Sequence, residues 1–279
     1  LVGVTGTNGK TTTVGMLRHL LDAPPSRPVA RAASIGTLGV LVGSAGETVP
    51  GGSALTTPGA IELQRLLRVL VDAGVRSVAM EASSHALDQG RADGLRFAAG
   101  VFTNFTRDHL DYHGTMEAYF AAKARLVNAL GPDGVAVWNA DDFAWLALSE
   151  APRSLSFGIA SGDADVRAED VSFHPRGSRW TLAHAAERAK VELPLIGDFN
   201  VANALAAAAA AIGIGMDVPT VAARLSVLPQ VPGRLEILSE HPALLRDYAH
   251  TPDALERALR ALRPFTPGRL IVLFGCGGD

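Results

Sequence analysis

A glycine-rich segment that ends in Gly-Lys-Thr-Thr lies close to the start of the chain. It runs from Gly6 to Thr12, after a short β-branched run and before a helical pattern of leucines. A strand, a glycine loop and a helix in this order form a phosphate cradle, because the backbone N–H groups of the loop and the helix N-terminus point at an anion. In such a cradle Lys10 would reach the outer phosphates and the Thr11 hydroxyl would ligate Mg²⁺. The loop is shorter than the full Walker A motif, which has a glycine where Val4 stands, and the alternative is an ordinary glycine-rich turn.

A carboxylate follows the strand that we predict at Ser77–Met80. Glu81 comes at the carboxyl end of this strand, which is where open α/β sheets bind ligands. From this position Glu81 would ligate Mg²⁺ directly or through water. Alternatively, it caps the next helix together with Ser83 and Ser84. Position alone leaves both roles open.

A second polar segment, residues 102–113, also follows an apolar strand and contains two Asp and two His. Because solvation alone does not require this density, the segment indicates a site. His109 would ligate a metal or orient a carboxylate there, although a lone histidine is often structural. Further on, helical spacing places Lys123 on the same side as Tyr119. A lysine among small apolar residues usually extends its amine to solvent, and nothing in the spacing makes it catalytic.

Three other motifs can be explained by structure alone, although two of them also suggest binding of a nucleotide. Thr56-Thr57-Pro58 precedes a predicted helix and is typical of an N-cap and first turn. Arg234 would bind a phosphate and Asp247 a ribose hydroxyl. An ion pair across a domain boundary is the alternative for the last two residues.

Short β-rich runs alternate with helical patterns, which predicts an α/β fold with a mostly parallel sheet and helices on both faces. The predicted strands are Leu1–Val4, Ser77–Met80, Ala99–Thr103, Val135–Trp138, Leu155–Phe157, Leu235–Leu238 and Leu270–Phe274. The predicted helices are Thr11–Leu21, Ala60–Ala73, Met116–Ala129, Phe199–Ala211 and Pro252–Leu262. Between Asp165 and Leu195 we expect an antiparallel meander at the edge of the sheet. The proline- and glycine-containing segment Pro229–Gly233 predicts a boundary between domains 1–231 and 232–279, after which a second βαβ unit starts at Leu244.

Composition limits the classes of partner. The chain has 279 residues, 48% of them hydrophobic, and a formal net charge of −3, so we expect no nucleic-acid partner. The alanine-rich run Ala202–Ile212 is too short and too weakly apolar for a membrane span, and we interpret it as a buried helix. A single cysteine, Cys276, excludes an internal disulfide and fits the cytoplasm. Because the chain starts within a strand and stops in a glycine-rich loop, we expect it to be a piece of a longer protein.

Taken together and in order, these motifs resemble the Mur ligases, and within them the MurE type that acts in peptidoglycan synthesis. The segments that carry the resemblance are Thr5–Thr12, Thr56–Pro58, Glu81–Arg91, Asp108–Gly114 with Ala121–Lys123, Gly197–Ala204, Pro232–Arg234 and Asp247–Asp253. The resemblance extends over the whole chain. It implies a P-loop-type central ATP-binding domain followed by the start of a Rossmann-like C-terminal domain. The family's N-terminal uridine-binding domain has no counterpart here, and its amino-acid pocket would lie beyond Asp279.

The resemblance also implies roles for individual residues. The residues implied to bind ATP are Gly6, Thr7, Asn8, Gly9, Lys10, Thr11, Thr12, Asn200, Asn203, Arg234 and Asp247, with an asparagine facing adenine, Arg234 the γ-phosphate and Asp247 the ribose. Those implied to contact the UDP-sugar peptide are Thr56, Thr57, Ser83, Gln89 and Arg91. Thr11, Glu81 and His109 would serve two Mg²⁺ ions. Lys123 would be modified to a carbamate that binds or orients the second ion, and the implied catalytic set is Lys10, Lys123, His109 and Arg234.

The implied reaction joins a free diamino acid, meso-diaminopimelate rather than L-lysine, to UDP-N-acetylmuramoyl-L-alanyl-D-glutamate through an acyl phosphate. ATP and Mg²⁺ are the implied cofactors, and we expect a cytoplasmic monomer. Folylpolyglutamate and cyanophycin synthetases share the ATPase fold and form amides, and they are one alternative. A nucleotide-binding homologue without catalytic activity is the other.

Overall fold

The computed structural model describes residues 1–22, 31–50, 55–148 and 150–275. Most of these residues build one eleven-stranded sheet with helices packed on it. Its strands are β1 (Val2–Thr5), β2 (Arg31–Gly36), β3 (Gly39–Val42), β4 (Glu47–Thr48), β5 (Val75–Glu81), β6 (Phe97–Phe102), β7 (Leu130–Asn139), β8 (Arg153–Gly158), β9 (Val166–His174), β10 (Gly177–His184) and β11 (Glu187–Leu193). The spatial order is β11-β10-β9-β8-β7-β6-β1-β5-β2-β3-β4.

The centre of the sheet is parallel, as the alternation of strands and helices predicts. β1 lies between β5 and β6 and pairs in parallel with both. The parallel part extends from β2 to β9, and the edges are antiparallel: β2-β3-β4 on one side and the predicted meander β9-β10-β11 on the other. Because the strands on either side of β1 run in the same direction, the segments that follow β1, β5 and β6 meet at one edge of the sheet.

Helices cover both faces of this sheet. The α-helices of the described residues are α1 (Lys10–Leu21), α2 (Ala60–Asp72), α3 (Ser84–Asp88), α4 (Leu110–His113), α5 (Met116–Asn128), α6 (Asp198–Gly213), α7 (Val218–Leu225) and α8 (Pro252–Leu262). One buried cluster unites α1, α6 and α7, and a second unites α2, α3 and α5. Val2 and Val4 belong to the first cluster, whereas Gly3 faces Leu126 of the second, so the two clusters lie on opposite faces of β1.

The five helices that the sequence predicts are all present, with ends that differ by at most two residues. The alanine-rich run lies within α6 and is almost entirely buried, as predicted. Small side chains let this helix approach the sheet and α1 closely. In the described part of the chain, no helix is both long and apolar enough to cross a membrane.

Residues after Pro232 form a second, two-stranded sheet and a helix. An antiparallel hairpin, β12 (Glu236–Glu240) with β13 (Ala243–Arg246), precedes α8. The strand predicted at Leu270–Phe274 is wrong, since residues 270–275 pair with no strand among those described and Leu273 is 98% exposed. Cys276 and the rest of the predicted glycine-rich loop lie outside the described residues. Only two apolar side chains after Pro232, Leu235 and Ala258, are buried in the described region.

Candidate functional site

The glycine loop joins β1 to α1 and wraps around the amine of Lys10. The Lys10 Nζ donates hydrogen bonds to the carbonyl oxygens of Gly6 at 3.0 Å and Thr7 at 2.8 Å. Gly6 and Gly9 have φ values of +142° and +85°, which side chains rarely allow. A Cβ at Gly6 would also collide with Thr103, and one at Gly9 with Asn203. The two glycines therefore allow the loop to pack closely against the elements that follow β6 and begin α6.

The polar segment after β6 holds this loop in place. The Asn104 carboxamide accepts a hydrogen bond from the Asn8 backbone N–H at 2.9 Å, and the Asn104 carbonyl accepts one from Thr7 N–H at 2.8 Å. The Thr103 hydroxyl donates to the Asn8 carbonyl at 2.7 Å. Thr103 and Asn104 lie in the segment that the sequence singles out, but their role in supporting the loop was not predicted.

Lys123 projects from α5 into the same region and is buried. Its side chain is 1% exposed, so the prediction that it extends to solvent is wrong. Its Nζ donates to the Gly6 carbonyl at 2.8 Å, which is the oxygen that Lys10 also uses. Burial, together with the nearby charge of Lys10, holds the pKa of Lys123 well below its usual range. A neutral amine at this position has a free lone pair and can attack an electrophile, whereas an ammonium cannot.

Tyr119 lies one helical turn before Lys123 and forms part of its surroundings. Its ring centroid is 4.4 Å from the Lys123 Nζ, and its hydroxyl is 3.3 Å from the Thr7 hydroxyl. Burial raises the pKa of the Tyr119 phenol, which therefore stays neutral. The contact confirms that Tyr119 and Lys123 share one side of the helix, as their spacing predicts, whereas the spacing could not show that this side borders the glycine loop.

Glu81 ends β5 with its carboxylate buried, at 1% exposure. The structure separates the two roles that the sequence left open. Ser83 caps α3, because its hydroxyl accepts from Ala86 N–H at 3.2 Å, and the Glu81 carboxylate instead accepts from Thr37 N–H at 2.8 Å. Glu81 thus faces the cavity beside Thr11, and the helix-capping role is wrong.

His109 also reaches this cavity, from a strained position in the chain. Its φ of 50° and ψ of 31° place it in the left-handed region, which non-glycine residues rarely adopt. Its Nε2 is 3.4 Å from the Asp108 carboxylate, and its ring makes an edge contact with His85. Burial is the largest cause that lowers the pKa of His109, which favours a neutral imidazole able to ligate a cation.

The Thr56–Thr57 turn packs against the end of β5. The Thr57 hydroxyl donates to the Glu81 carbonyl at 2.8 Å and accepts from Ser83 N–H at 3.1 Å. The Arg91 guanidinium donates to the Thr57 carbonyl at 3.0 Å and also bonds Gln89. The N-cap of α2 is Gly59 without a side-chain bond, so the interpretation of these threonines as a helix cap is wrong.

Two pairs of residues from the later part of the chain lie at or near the cavity: two asparagines of α6, and Arg234 with Asp247. The carboxamide of Asn203 borders the cavity, whereas Asn200 lies behind it and donates to the Ile196 carbonyl at 2.8 Å. Arg234 donates to the Thr11 hydroxyl at 2.9 Å, and Asp247 accepts from Leu235 N–H at 2.7 Å. An ion pair between Arg234 and Asp247 is not among the contacts of the described residues.

One cavity of about 400 Å³ brings most of the predicted residues together. Those that border it are Thr7, Asn8, Gly9, Lys10, Thr11, Thr12, Thr56, Glu81, Ser83, His109, Lys123, Asn203, Arg234 and Asp247. Those that support its walls without bordering it are Gly6, Thr57, Gln89, Arg91 and Asn200. Thr37, which the sequence analysis did not single out, borders it as well.

A glycine loop around a lysine, a buried carboxylate and a second buried lysine at the carboxyl edge of a parallel sheet define an α/β protein with a P-loop-type cradle. Comparison with protein families identifies it further. Residues 4–211 match the Mur ligase middle domain, and residues 233–279 match the Mur ligase glutamate ligase domain. The chain belongs to the Mur ligase family.

Individual relatives agree with this assignment. The chain is 47% identical to the UDP-N-acetylmuramoyl-L-alanyl-D-glutamate–2,6-diaminopimelate ligase of Gloeobacter violaceus, and 45% identical to that of Geobacter sulfurreducens. Both alignments cover 100% of the chain but only 56% and 55% of the relatives, so the chain spans a little over half their length. A solved structure of a ligase with the same name superimposes with a TM-score of 0.80 at 37% identity, over 100% of this chain and 56% of that one.

Proposed function

We propose that this chain carries the ATP-binding, acyl-activating part of a ligase of peptidoglycan synthesis. The ligase would add a diamino acid, meso-diaminopimelate rather than L-lysine, to UDP-N-acetylmuramoyl-L-alanyl-D-glutamate. The names of the relatives support these substrates. The observation that carries the proposal is the convergence of Lys10 and Lys123 on one carbonyl oxygen beside Glu81 and His109.

In this proposal the glycine loop binds the phosphates of ATP. Lys10 exchanges its bonds to loop carbonyls for bonds to phosphate oxygens, because an anion is the better partner of an ammonium. Arg234 reaches the γ-phosphate after leaving Thr11, and Asp247 accepts from a ribose hydroxyl. Of the two asparagines, Asn203 is the one that would face adenine, since Asn203 borders the cavity and Asn200 does not.

The residues present fit a bound Mg²⁺. In the described part of the chain, no group of three or more His, Cys, Asp and Glu side chains is arranged to hold a metal ion. Mg²⁺ commonly uses one or two protein oxygens together with substrate phosphates, and the Glu81 carboxylate and the Thr11 hydroxyl supply these. His109 and a modified Lys123 would serve a second ion. When bound, Mg²⁺ would neutralise negative charge on the phosphates.

Lys123 would act as a carbamate. The lone pair of the neutral amine attacks carbon dioxide, a C–N bond forms while one C=O π bond opens onto oxygen, and one amine proton leaves to solvent, so that a neutral amine becomes an anionic carbamate. The low pKa of the buried amine supports this modification, since it makes the neutral nucleophile available. The new carboxylate would lie next to the Lys10 ammonium and attract it.

The chemistry that follows is acyl activation and amide formation. The terminal carboxylate of the sugar peptide attacks the γ-phosphorus of ATP, the bond to the β-phosphate oxygen breaks, and ADP leaves. The amine of the diamino acid then attacks the acyl carbon, phosphate leaves, and the amine loses its proton. Lys10 and Arg234 would stabilise the negative charge that these steps concentrate, while Thr56, Thr57, Ser83, Gln89 and Arg91 would position the acceptor.

The remaining assignments belong to the same proposal. Residues 1–231 would form the central ATP-binding domain, and residues 232–279 the beginning of a C-terminal domain that closes over ATP. The enzyme would act as a cytoplasmic monomer, without nucleic-acid or membrane partners. Through the cell wall it would affect cell shape, the cell cycle and cell division.

The test is made with the full-length gene product that contains this chain. Release of ADP and phosphate should require both the UDP-sugar dipeptide and the diamino acid, and meso-diaminopimelate should be preferred to L-lysine. Turnover with a folate and glutamate, or with an aspartate–arginine polymer, would instead support a folylpolyglutamate or cyanophycin synthetase. ATP binding without turnover on any acceptor would indicate the non-catalytic homologue.

A further inference from the structure

The tip of the β2–β3 hairpin lies beside the end of β5. The two strands pair through Gly36 and Gly39 and leave a two-residue loop, Thr37-Leu38, between them. β2 also runs parallel to β5, with Ile35 opposite Met80. The register therefore brings the first loop residue next to Glu81, so the hairpin tip forms one wall of the cavity.

Thr37 holds both oxygens of the Glu81 carboxylate. Its backbone N–H donates to Oε1 at 2.8 Å, and its hydroxyl donates to Oε2 at 3.3 Å. Two donors from one residue fix the rotation of the carboxylate as well as its position. The carboxylate retains other lone pairs, because it has about four acceptor sites in all.

The same hydroxyl reaches the Thr56–Thr57 turn. The Oγ1 atoms of Thr37 and Thr56 are 3.3 Å apart. A hydroxyl has one proton to donate, and Thr37 gives it to Glu81, so Thr56 must be the donor in this second contact. The result is a directed chain of bonds from Thr56 through Thr37 to the carboxylate, in which each donor polarises the next.

Gly36 makes this close packing possible. A Cβ at this position would lie 2.7 Å from Glu81 Cγ and 2.8 Å from Cδ, and it would collide with Oε1. The carboxylate therefore lies against the main chain of the hairpin, and a side chain at residue 36 would displace it.

We propose that Thr37 is a positioning residue that joins the metal side of the site to the acceptor side: it orients Glu81 toward Mg²⁺ and Thr56 toward the sugar peptide. This inference rests on the proposed function for the identity of the acceptor. Its metal half rests on the contacts of Thr37 with Glu81 and on the proposed role of Glu81 as a Mg²⁺ ligand, but it does not depend on the identity of the acceptor. Loss of the hydroxyl should therefore weaken the binding of two ligands, ATP with Mg²⁺ through Glu81 and the sugar peptide through Thr56.

The experiment compares Thr37→Val with Thr37→Ser in the full-length gene product. Valine removes the hydroxyl but keeps the backbone donor and the shape, while serine keeps both donors. Thr181→Val on β10, remote from the cavity, is the matched control. Calorimetric titration measures ATP binding in Mg²⁺ and in EDTA, and separately the binding of UDP-N-acetylmuramoyl-L-alanyl-D-glutamate. The midpoint of thermal unfolding shows whether each variant is folded.

In Thr37→Val we expect about fivefold weaker ATP binding in Mg²⁺, unchanged ATP binding in EDTA, and about fivefold weaker acceptor binding, in line with the loss of one hydrogen bond at each contact. Thr37→Ser should stay within about twofold of the unmodified protein, as should Thr181→Val. If Thr37→Val weakened ATP binding equally in Mg²⁺ and in EDTA, or weakened it in neither buffer, the proposal would be overturned. If the unmodified protein itself does not bind the sugar peptide, the proposed function fails, and the Mg²⁺ titration still decides whether Thr37 orients Glu81.

Discussion

Lys123→Ala removes a buried amine that lies close to the positive charge of Lys10. Its Nζ and that of Lys10 lie 2.8 and 3.0 Å from the same Gly6 carbonyl oxygen, so they are no more than about 6 Å apart. At an effective dielectric constant of about 20, two like charges at this distance repel by about 3 kcal/mol. A carbamate on Lys123 reverses the sign and yields an attraction of about the same size. The charge of Lys10 therefore favours an anion over an ammonium at this position.

We expect Lys123→Ala to lower kcat of the full-length ligase by at least about 100-fold, as is typical when one preorganised charge is lost. Acetate should restore part of this activity by supplying the missing carboxylate, and it should not affect the unmodified enzyme. The modification itself is measured by ¹³C NMR with labelled bicarbonate and by native mass spectrometry with peptide mapping. Lys190→Ala is the matched control, because Lys190 is an exposed lysine on β11.

Two results would refute this reasoning. One is an unmodified Lys123 in an enzyme that is fully active in buffer free of carbon dioxide. The other is an inactive Lys123→Ala enzyme that no small carboxylate restores although it still binds ATP, since this would assign the amine a role other than carrying an anion.

Three other changes test separate parts of the site and fold. Lys10→Ala should remove about 2–4 kcal/mol of transition-state stabilisation through the loss of a phosphate contact, measured as the decrease in kcat/KM, and near-normal activity in the ligase assay would contradict that contact. Gly36→Ala should displace the Glu81 carboxylate and destabilise the protein by about 1–3 kcal/mol in chemical denaturation, whereas Gly162→Ala, which has open space around its Cβ and, like Gly36, no left-handed φ, measures the effect of the added methyl group alone. Burial lowers the pKa of His19, so the unfolded chain binds its proton first as the pH falls. The free energy of unfolding should therefore decrease between pH 7.5 and 5.5, and His19→Gln should reduce this decrease; an unchanged slope would exclude His19 as a cause.

The helices and the central strands could be predicted because the residues within each element favour the structure that it adopts. The pattern of α5 contains a capping threonine, Thr115, and apolar residues at helical spacing, and the helix begins and ends where this pattern does. The hairpin β2-β3 was not predicted. Its residues are mostly small and apolar without alternation, so their strand structure depends on pairing with β5 rather than on local pattern.

The strand predicted at Leu270–Phe274 shows in another way that a strand depends on its pairing partner. The run is β-branched and apolar, which favours a strand, but a strand also requires a partner for its backbone hydrogen bonds. Residues 270–275 have no such partner within the described residues. Local preference alone therefore does not produce a strand there.

The chemical roles that the sequence could not decide depend on which strands are neighbours. Glu81 faces the glycine loop because β5 lies on one side of β1, and Asn104 supports that loop because β6 lies on the other. The distance between these residues along the chain does not reveal the spatial order of the strands. With the same spacing, residues on strands at opposite edges of the sheet would lie far apart. Thr37 escapes a motif search for the same reason, since its role follows from the parallel register of β2 with β5. In a parallel sheet, a functional residue is thus best sought after the strands that flank the strand of the glycine loop and after the strands next to these, including residues that belong to no recognised motif.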